Sequence, residues 1–236
     1  EHVQRPRAVA READFIADVL FYYGDSAPNF VPARHILPGL GYGFDYEVIN
    51  SDVLLDKLVV REGKLKLPQG PEYEILVLPD AEYMQPEILQ KIHDLVQGGA
   101  TVVGPKPVRS HGLDHWKERD ARVQEAAGIL WGDCDGETIR EHRTGAGMVV
   151  WGKDLRTVLK ERNVGPDFDF TGNTENTALD FIHRRMQGID IYFIRNKTQK
   201  EVSGTGMFRP QGTQASYWDP LTGKITDAVF AARQQQ

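Results

Sequence analysis

The chain has 236 residues, 40% apolar and 26% charged, a balance typical of a globular protein with a buried core. Its net charge of -6 comes from mixed signs without a basic stripe, which argues against nucleic acid as a partner, because a duplex binder needs clustered Lys and Arg. No apolar run approaches the roughly 20 residues that span a bilayer, so we expect no membrane partner.

The single cysteine excludes an internal disulfide framework and a cysteine-based zinc site. Cys134 lies between Asp133 and Asp135, and these carboxylates disfavour a thiolate, so we interpret it as an ordinary loop cysteine. His111 and His115 have the i, i+4 spacing of metal ligands on a helix, but Gly112 argues against a helix and no third ligand is evident. We therefore predict no metal site and no cofactor.

The first part of the chain alternates strand and helix patterns. Residues 5–17 are polar and helix-forming, and 58–67 alternate around Glu62-Gly63-Lys64 as a hairpin does. Short apolar runs predict strands at 19–23, 46–49, 75–78, 101–103 and 148–151, and helical spacing predicts helices at 53–58, 85–97, 116–130 and 155–161. Continuously apolar strands separated by helices predict an α/β, flavodoxin-like fold, a parallel sheet with helices on both faces.

The pattern changes near residues 163–180, where Gly, Pro and Asn cluster. Beyond it, short strands at 191–194, 202–208 and 217–218 are joined by turns, which predicts a short antiparallel β segment. We therefore predict one domain over residues 1–170 and a β-rich segment over 171–236. The segment is too short to close a sandwich alone, since ~100 residues is typical for that fold. An incomplete β-domain exposes a strand edge, so we expect some self-association.

Eight segments in a fixed order carry a resemblance to a known family. They are Asp18–Asp25, Tyr46–Leu55, Leu76–Asp80, Gly99–Pro107, Gly145–Gly152, Phe181–Arg185, Asp190–Phe193 and Trp218–Gly223. Together they resemble glycoside hydrolase family 106, the α-L-rhamnosidase-type enzymes, over most of the chain. The resemblance implies an accessory α/β domain like that of class I glutamine amidotransferases, followed by the start of a β-domain. It also implies that the catalytic carboxylates lie on another domain, so none is assigned here.

The leading hypothesis is therefore a non-catalytic accessory region of a multidomain glycoside hydrolase. The resemblance implies that its partners are other domains of the same parent polypeptide, with a plant or bacterial polysaccharide as a further candidate. It also implies a parent that is secreted or periplasmic in a bacterium. The alternative is a free-standing α/β module that binds a carbohydrate or small ligand without catalysis. An active amidotransferase-like enzyme needs a nucleophile after a strand, but strand 75–78 ends in Pro79-Asp80-Ala81.

Polar residues that follow the predicted strands are the candidate ligand-binding groups. The carboxyl ends of parallel strands form the binding crevice of such sheets, although Asp and Asn there also cap helices or bind loop amides. Loops 23–29, 50–52 and 105–111 are the candidate segments. Arg184 either clamps a carboxylate or sugar hydroxyl or pairs with Asp180 or Asp190 at a domain junction. The candidates are Tyr23, Asp25, Asn29, Asn50, Asp52, Asp80, Lys106 and Arg184.

Overall fold

A computed structural model describes residues 13–25, 40–68, 70–210, 212 and 214–228. Contacts between Cα atoms divide these residues into two compact units. The parallel-sheet unit comprises residues 17–165, and the β unit comprises residues 13–16 together with the described residues from 166 onward. The sequence-based domains 1–170 and 171–236 stay a prediction.

The described residues contain sixteen strands, four α-helices and a short 3-10 helix over Asn176–Ala178. The strands are β1 (Asp14–Phe15), β2 (Val19–Tyr22), β3 (Tyr46–Ile49), β4 (Val59–Arg61), β5 (Lys64–Lys66), β6 (Glu72–Tyr73), β7 (Ile75–Val77), β8 (Thr101–Val103), β9 (Glu141–Thr144), β10 (Gly147–Val150), β11 (Phe168–Gly172), β12 (Leu179–Met186), β13 (Ile189–Asn196), β14 (Gly204–Phe208), β15 (Ser216–Trp218) and β16 (Ile225–Asp227). The helices are α1 (Ser51–Asp56), α2 (Pro86–Gln97), α3 (Trp116–Trp131) and α4 (Leu155–Glu161). None of these helices combines the length and apolar character that crossing a bilayer requires.

A six-stranded sheet is the centre of the parallel-sheet unit. Its order is β3-β2-β7-β8-β10-β9, with parallel pairing at every junction except the antiparallel hairpin of β9 and β10. The strands β2, β7 and β8 are continuously apolar or small and buried, as expected for strands with neighbours on both sides. Val19, Ile75 and Val150 lie in a core cluster with Leu155 and Leu159 of α4.

Local sequence explains how the helices begin. The side chain of Asn50 accepts a hydrogen bond from the Val53 amide and caps α1, and Asp154 caps α4 through the Thr157 amide. Pro86 occupies the first turn of α2, where a missing amide hydrogen costs nothing. Ile88, Ile92 and Val96 on its apolar face are buried, so burial of that stripe stabilises the helix.

The predicted flavodoxin-like fold, a parallel sheet with helices on both faces, is wrong. The chain between β3 and β7 forms the short helix α1 and then a three-stranded antiparallel sheet of β4, β5 and β6, rather than one long crossover helix. The central sheet is mixed, because β9 returns as an antiparallel edge. The remaining strands form small antiparallel sheets, so the chain lacks the regular strand–helix alternation of the predicted fold.

The β unit contains three small antiparallel sheets. One has the order β1-β12-β13, and the other two pair β11 with β14 and β15 with β16. The predicted helix over residues 5–17 is wrong where it can be compared, since Asp14–Phe15 is a strand, and residues 5–12 lie outside the described residues. Antiparallel pairing in the last part of the chain agrees with the sequence pattern there.

A close backbone approach in the parallel-sheet unit yields a stability prediction. A Cβ on Gly147 of β10 would lie 2.3 Å from the Ala100 carbonyl oxygen and 2.4 Å from that of Val96. Both atoms belong to the backbone and cannot rotate away. We expect Gly147→Ala to lower the free energy of unfolding by about 1–3 kcal/mol, as overpacking does.

The matched control is Gly128→Ala on the exposed side of α3, where an added Cβ meets nothing within 4 Å. Removing a helical glycine should raise the free energy of unfolding by about 0.5–1 kcal/mol. Urea denaturation of both variants measures the difference. Equal effects of the two substitutions would contradict the packing of Gly147 against the end of α2.

Candidate functional site

A polar cluster lies at the carboxyl ends of the adjacent strands β2 and β3. The Tyr22 hydroxyl donates to Asp25 Oδ2 at 2.8 Å, and the Ser51 hydroxyl donates to Asp25 Oδ1. The hydroxyl oxygens of Tyr22 and Ser51 are 3.2 Å apart. We call these three residues the edge cluster. Two of the predicted segments, the loop after β2 and the start of α1, therefore meet at the sheet edge.

The sheet fixes the position of the edge cluster. Tyr22 is the last residue of β2, and the Tyr23 amide donates to the Ile49 carbonyl oxygen at 2.9 Å, which holds the two strand ends together. Burial raises the pKa of Tyr22, and the nearby Asp25 raises it further against the opposing effect of the hydrogen bond with Ser51. Tyr22 therefore stays a phenol and a donor, and Asp25 accepts from it.

The other sequence-predicted residues of this unit have separate places. Asn50 caps α1, and Asp52 lies in the first turn of that helix, where a carboxylate is favoured by the helix dipole. Asp80 is exposed after β7, and Lys106 donates to the Gly132 carbonyl oxygen at 3.3 Å. Asn29 lies outside the described residues. Asp25 and Asn50 thus lie at neighbouring strand ends, while their role in ligand binding stays a prediction.

The β unit contains a buried network that sequence reasoning did not identify. His183 is 1% exposed, with Nδ1 2.8 Å from Asp167 Oδ2 and Nε2 2.9 Å from Asp190 Oδ1. Tyr192 donates to Asp167 Oδ1 at 2.7 Å, and its ring stacks on His183 with the ring centroids 4.0 Å apart. Arg185 Nε donates to Asp190 at 2.7 Å. We call these five residues the histidine network.

The geometry of the histidine network indicates charge pairing. Carboxylate oxygens only accept hydrogen bonds, so each ring nitrogen of His183 lies against an acceptor, and the Arg185 guanidinium adds a charge to the network. Burial raises the pKa of Tyr192, and the negative charge of Asp167 raises it further. Every member is therefore held by a partner inside the unit, which is typical of a structural network.

Arg184 and Arg185 point to opposite faces of β12. Arg185 pairs with Asp190, one of the two acids expected to pair with an arginine of this segment. Arg184 instead donates to the Ala13 carbonyl oxygen at 3.3 Å and lies 5.1 Å from the Phe15 ring. The segment 183–185 belongs to the strand β12, which was not predicted from the sequence. The signal that could have shown this is the period-two alternation of Leu179, Phe181 and His183.

A second pair of carboxylates lies beside a cavity of about 300 Å³ in the parallel-sheet unit. Lys153 Nζ is 2.6 Å from Glu141 Oε1 and 2.9 Å from Glu161 Oε1, so the two acids lie close together. Their hydrogen bonds raise the pKa of Lys153, which stays a cation between them. Sequence reasoning missed this group because its members are far apart in the chain. Arg143 and Arg162 also line the cavity.

Cys134 fits the interpretation as a structural cysteine. It is buried, and burial raises the pKa of its thiol, with the charge of Asp135 adding to the increase. Among the described residues, no group of three His, Cys, Asp or Glu side chains is arranged to hold a metal ion. His115, one of the two histidines considered as ligands, precedes α3 in a left-handed conformation.

Solved structures show what this chain is similar to. A rhamnosidase from Novosphingobium sp. PP1Y superposes with a TM-score of 0.79 at 28% identity, over 96% of this chain and 21% of that chain. Gan42B, a GH42 beta-galactosidase, superposes with a TM-score of 0.52 at 11% identity, over 90% of this chain and 38% of that chain. At that identity, the likeness to Gan42B concerns the fold alone.

Sequence comparison gives the family. The model of glycoside hydrolase family 106, described as alpha-L-rhamnosidase, matches residues 2–232, so the chain belongs to this family and the resemblance is confirmed. A protein of Formosa agariphila named "Putative beta-glucuronidase" is 33% identical over 228 residues, which are 95% of this chain and 18% of that protein. The chain thus spans about a fifth of the length of these relatives. Neither comparison supports the amidotransferase-like assignment.

The histidine network yields a second stability prediction. His183→Leu puts an apolar side chain of similar size in place of the ring but leaves Asp167 and Asp190 without the nitrogens that lie against them. We expect the free energy of unfolding to fall by about 3–5 kcal/mol, the usual cost of breaking a buried ion pair from one side. Urea denaturation followed by circular dichroism measures the loss.

The control removes a cation from an exposed pair. Lys66 Nζ lies 3.1 Å from Glu72 Oε1, and both side chains are open to water. Lys66→Gln should cost at most about 1 kcal/mol, because water replaces a surface ion pair at little cost. A loss for His183→Leu no larger than that for Lys66→Gln would show that the network does not stabilise the fold.

Proposed function

We propose that this chain is a non-catalytic accessory region of a larger glycoside hydrolase of the α-L-rhamnosidase type. The observation that carries the proposal is the match to the Novosphingobium rhamnosidase, which covers 96% of this chain but 21% of that chain. A region of this size leaves most of the parent polypeptide for the catalytic domain. Its partners would be the other domains of that polypeptide, which it supports by packing against them.

The chemistry of the two carboxylate groups supports a non-catalytic role. A glycosidase needs one carboxylic acid that carries a proton and a second carboxylate, separated by about 5–5.5 Å in retaining enzymes. Glu141 and Glu161 lie close together, but Lys153 lies between them and donates to both. A pair bridged in this way is suited to joining β9 and α4 rather than to flanking a glycosidic bond.

The edge cluster supports the same interpretation. Both oxygens of Asp25 accept hydrogen bonds, from Tyr22 and from Ser51, and this sets the shape of the loop after β2. With both of its oxygens occupied in this way, Asp25 joins the end of β2 to the start of α1. The loops at this edge of the sheet are nevertheless the segments best placed to line the substrate cleft of a neighbouring domain.

The proposal predicts that the isolated chain does not hydrolyse α-L-rhamnosides. The assay is release of the chromophore from an aryl α-L-rhamnoside by the purified chain, with the parent polypeptide as the positive control. We expect activity from the parent and none above the buffer rate from the chain. Enzyme-dependent release by the chain alone, abolished by Glu141→Gln or Asp25→Asn, would refute the proposal.

A second candidate function is carbohydrate binding without catalysis at the edge cluster. The observation that favours it is the exposed ring of Tyr23, whose backbone is held beside Ile49 and so beside Asn50 and Asp25. Exposed aromatic rings and carboxylates are common partners of sugar faces and hydroxyls.

Calorimetric titration of the isolated chain with methyl α-L-rhamnoside tests this candidate. If the edge cluster binds sugar, Asp25→Ala should raise the dissociation constant by at least about tenfold, which corresponds to the loss of one hydrogen bond to a charged group. The control Asp114→Ala changes a fully exposed carboxylate in another loop. The absence of saturable binding, or equal effects of both substitutions, would count against sugar binding at this place.

A further inference from the structure

The outer face of the three-stranded sheet in the β unit is apolar and exposed. Side chains of β12 alternate between two faces, with Leu179, Phe181 and His183 buried and the residues between them turned outward. Cross-strand pairing brings Ile182 opposite Phe193 on the outward side. Apolar side chains on the outer face are Phe15, Ile182, Met186, Ile189, Ile191 and Phe193, and the charged residues Asp180, Arg184 and Arg195 lie on the same face.

The exposure of the outer face is large for apolar side chains. Ile182 is 43% exposed, Phe193 54% and Ile189 60%. Scattered apolar residues are ordinary on a protein surface, but neighbouring ones on adjacent strands form a contiguous patch, which marks an interaction site. A sheet with one face on its core and the other in water usually carries polar residues outward, whereas the middle of this outer face, at Ile182 and Phe193, is apolar.

The hairpin of β15 and β16 gives an independent sign that the β unit has a partner. Trp218 and Ile225 are opposite each other in this hairpin, and both are more than half exposed. A two-stranded hairpin is marginally stable in water unless its side chains pack on something. Asp219 orders the turn by accepting from the Leu221 and Thr222 amides, but the turn alone leaves the aromatic surface in water.

We infer that the outer face packs against another domain of the same parent polypeptide, an inference that rests on the proposed accessory function. The match to 21% of the Novosphingobium chain indicates where the occupant comes from, because most of such a polypeptide lies outside this region. Arg184 indicates what the surface of the occupant should carry. The guanidinium has five N–H donors, so the occupant should present an apolar surface with a carboxylate opposite Arg184.

Photo-crosslinking in the parent polypeptide tests the inference. Phe193 is replaced by p-benzoylphenylalanine, and the control carries the same residue at Leu113, an exposed loop position of the other unit. After irradiation, peptides joined to position 193 are identified by mass spectrometry. We expect links to residues of the parent outside this chain, several-fold more abundant than those from position 113. Links between two copies, or yields no higher than at position 113, would overturn the inference.

The substitution Ile182→Asp supplies a second measurement. In the isolated chain Ile182 is exposed, so the thermal midpoint should stay within about a degree or two of the unmodified chain, as for most surface substitutions. In the parent polypeptide we expect cleavage of this region by a dilute protease to become at least about tenfold faster, because undocking exposes it. Equal cleavage rates, or a large loss of stability in the isolated chain, would contradict docking. The rhamnoside assay on the isolated chain is unaffected by either result, so failure of docking and failure of the accessory role can be distinguished.

Discussion

The parallel pairing of β2 with a neighbour on each side is the constraint on which the larger unit depends. β2 lies between β3 and β7, and its residues Val19–Tyr22 are all buried. Where the strand ends, Gly24 adopts a positive φ of 86°, which lets the chain turn and bring Asp25 back to the Tyr22 hydroxyl. The edge cluster is thus a consequence of where an apolar strand stops, and its polar groups satisfy one another.

The β unit combines a small apolar core with a buried polar network. Its buried apolar side chains include Phe168, Leu179 and Phe181, and the polar histidine network continues the same inner face. Buried ion pairs add little net stability compared with apolar packing, but they do penalise alternatives. A one-residue shift in the register of β12 would turn His183 outward and leave two buried carboxylates without the ring nitrogens that lie against them. The network therefore accounts for the register of a sheet whose outer face is also apolar.

Sequence patterns predicted most individual elements because burial leaves a local signature. Short apolar runs located β2, β3, β7 and β8, and helical spacing located α1 and α2. The edge strand β9 was missed because Glu141–Thr144 has no apolar residue to reveal it. The fold class failed for a different reason. The hairpin predicted over residues 58–67 is present as β4 and β5, but local periodicity does not show that it pairs with β6 in a separate sheet or that β9 returns as an antiparallel edge.

The same limit applies to the candidate site. Strand ends placed Asp25 and Asn50 correctly at one edge of the sheet, yet the partners of Asp25 could not be chosen from the sequence alone. The lysine shared by Glu141 and Glu161, and the histidine shared by Asp167 and Asp190, join residues that are distant along the chain. Such pairings depend on the tertiary arrangement, for which spacing rules have no signal. In each of these clusters the charged side chains are paired within the chain. The apolar side chains of the outer face, by contrast, are exposed to water. A catalytic group must remain free to exchange a proton with the substrate or to stabilise charge that develops on it. In the described residues, the outer face leaves apolar side chains in water, which supports the proposal that this region packs against another domain.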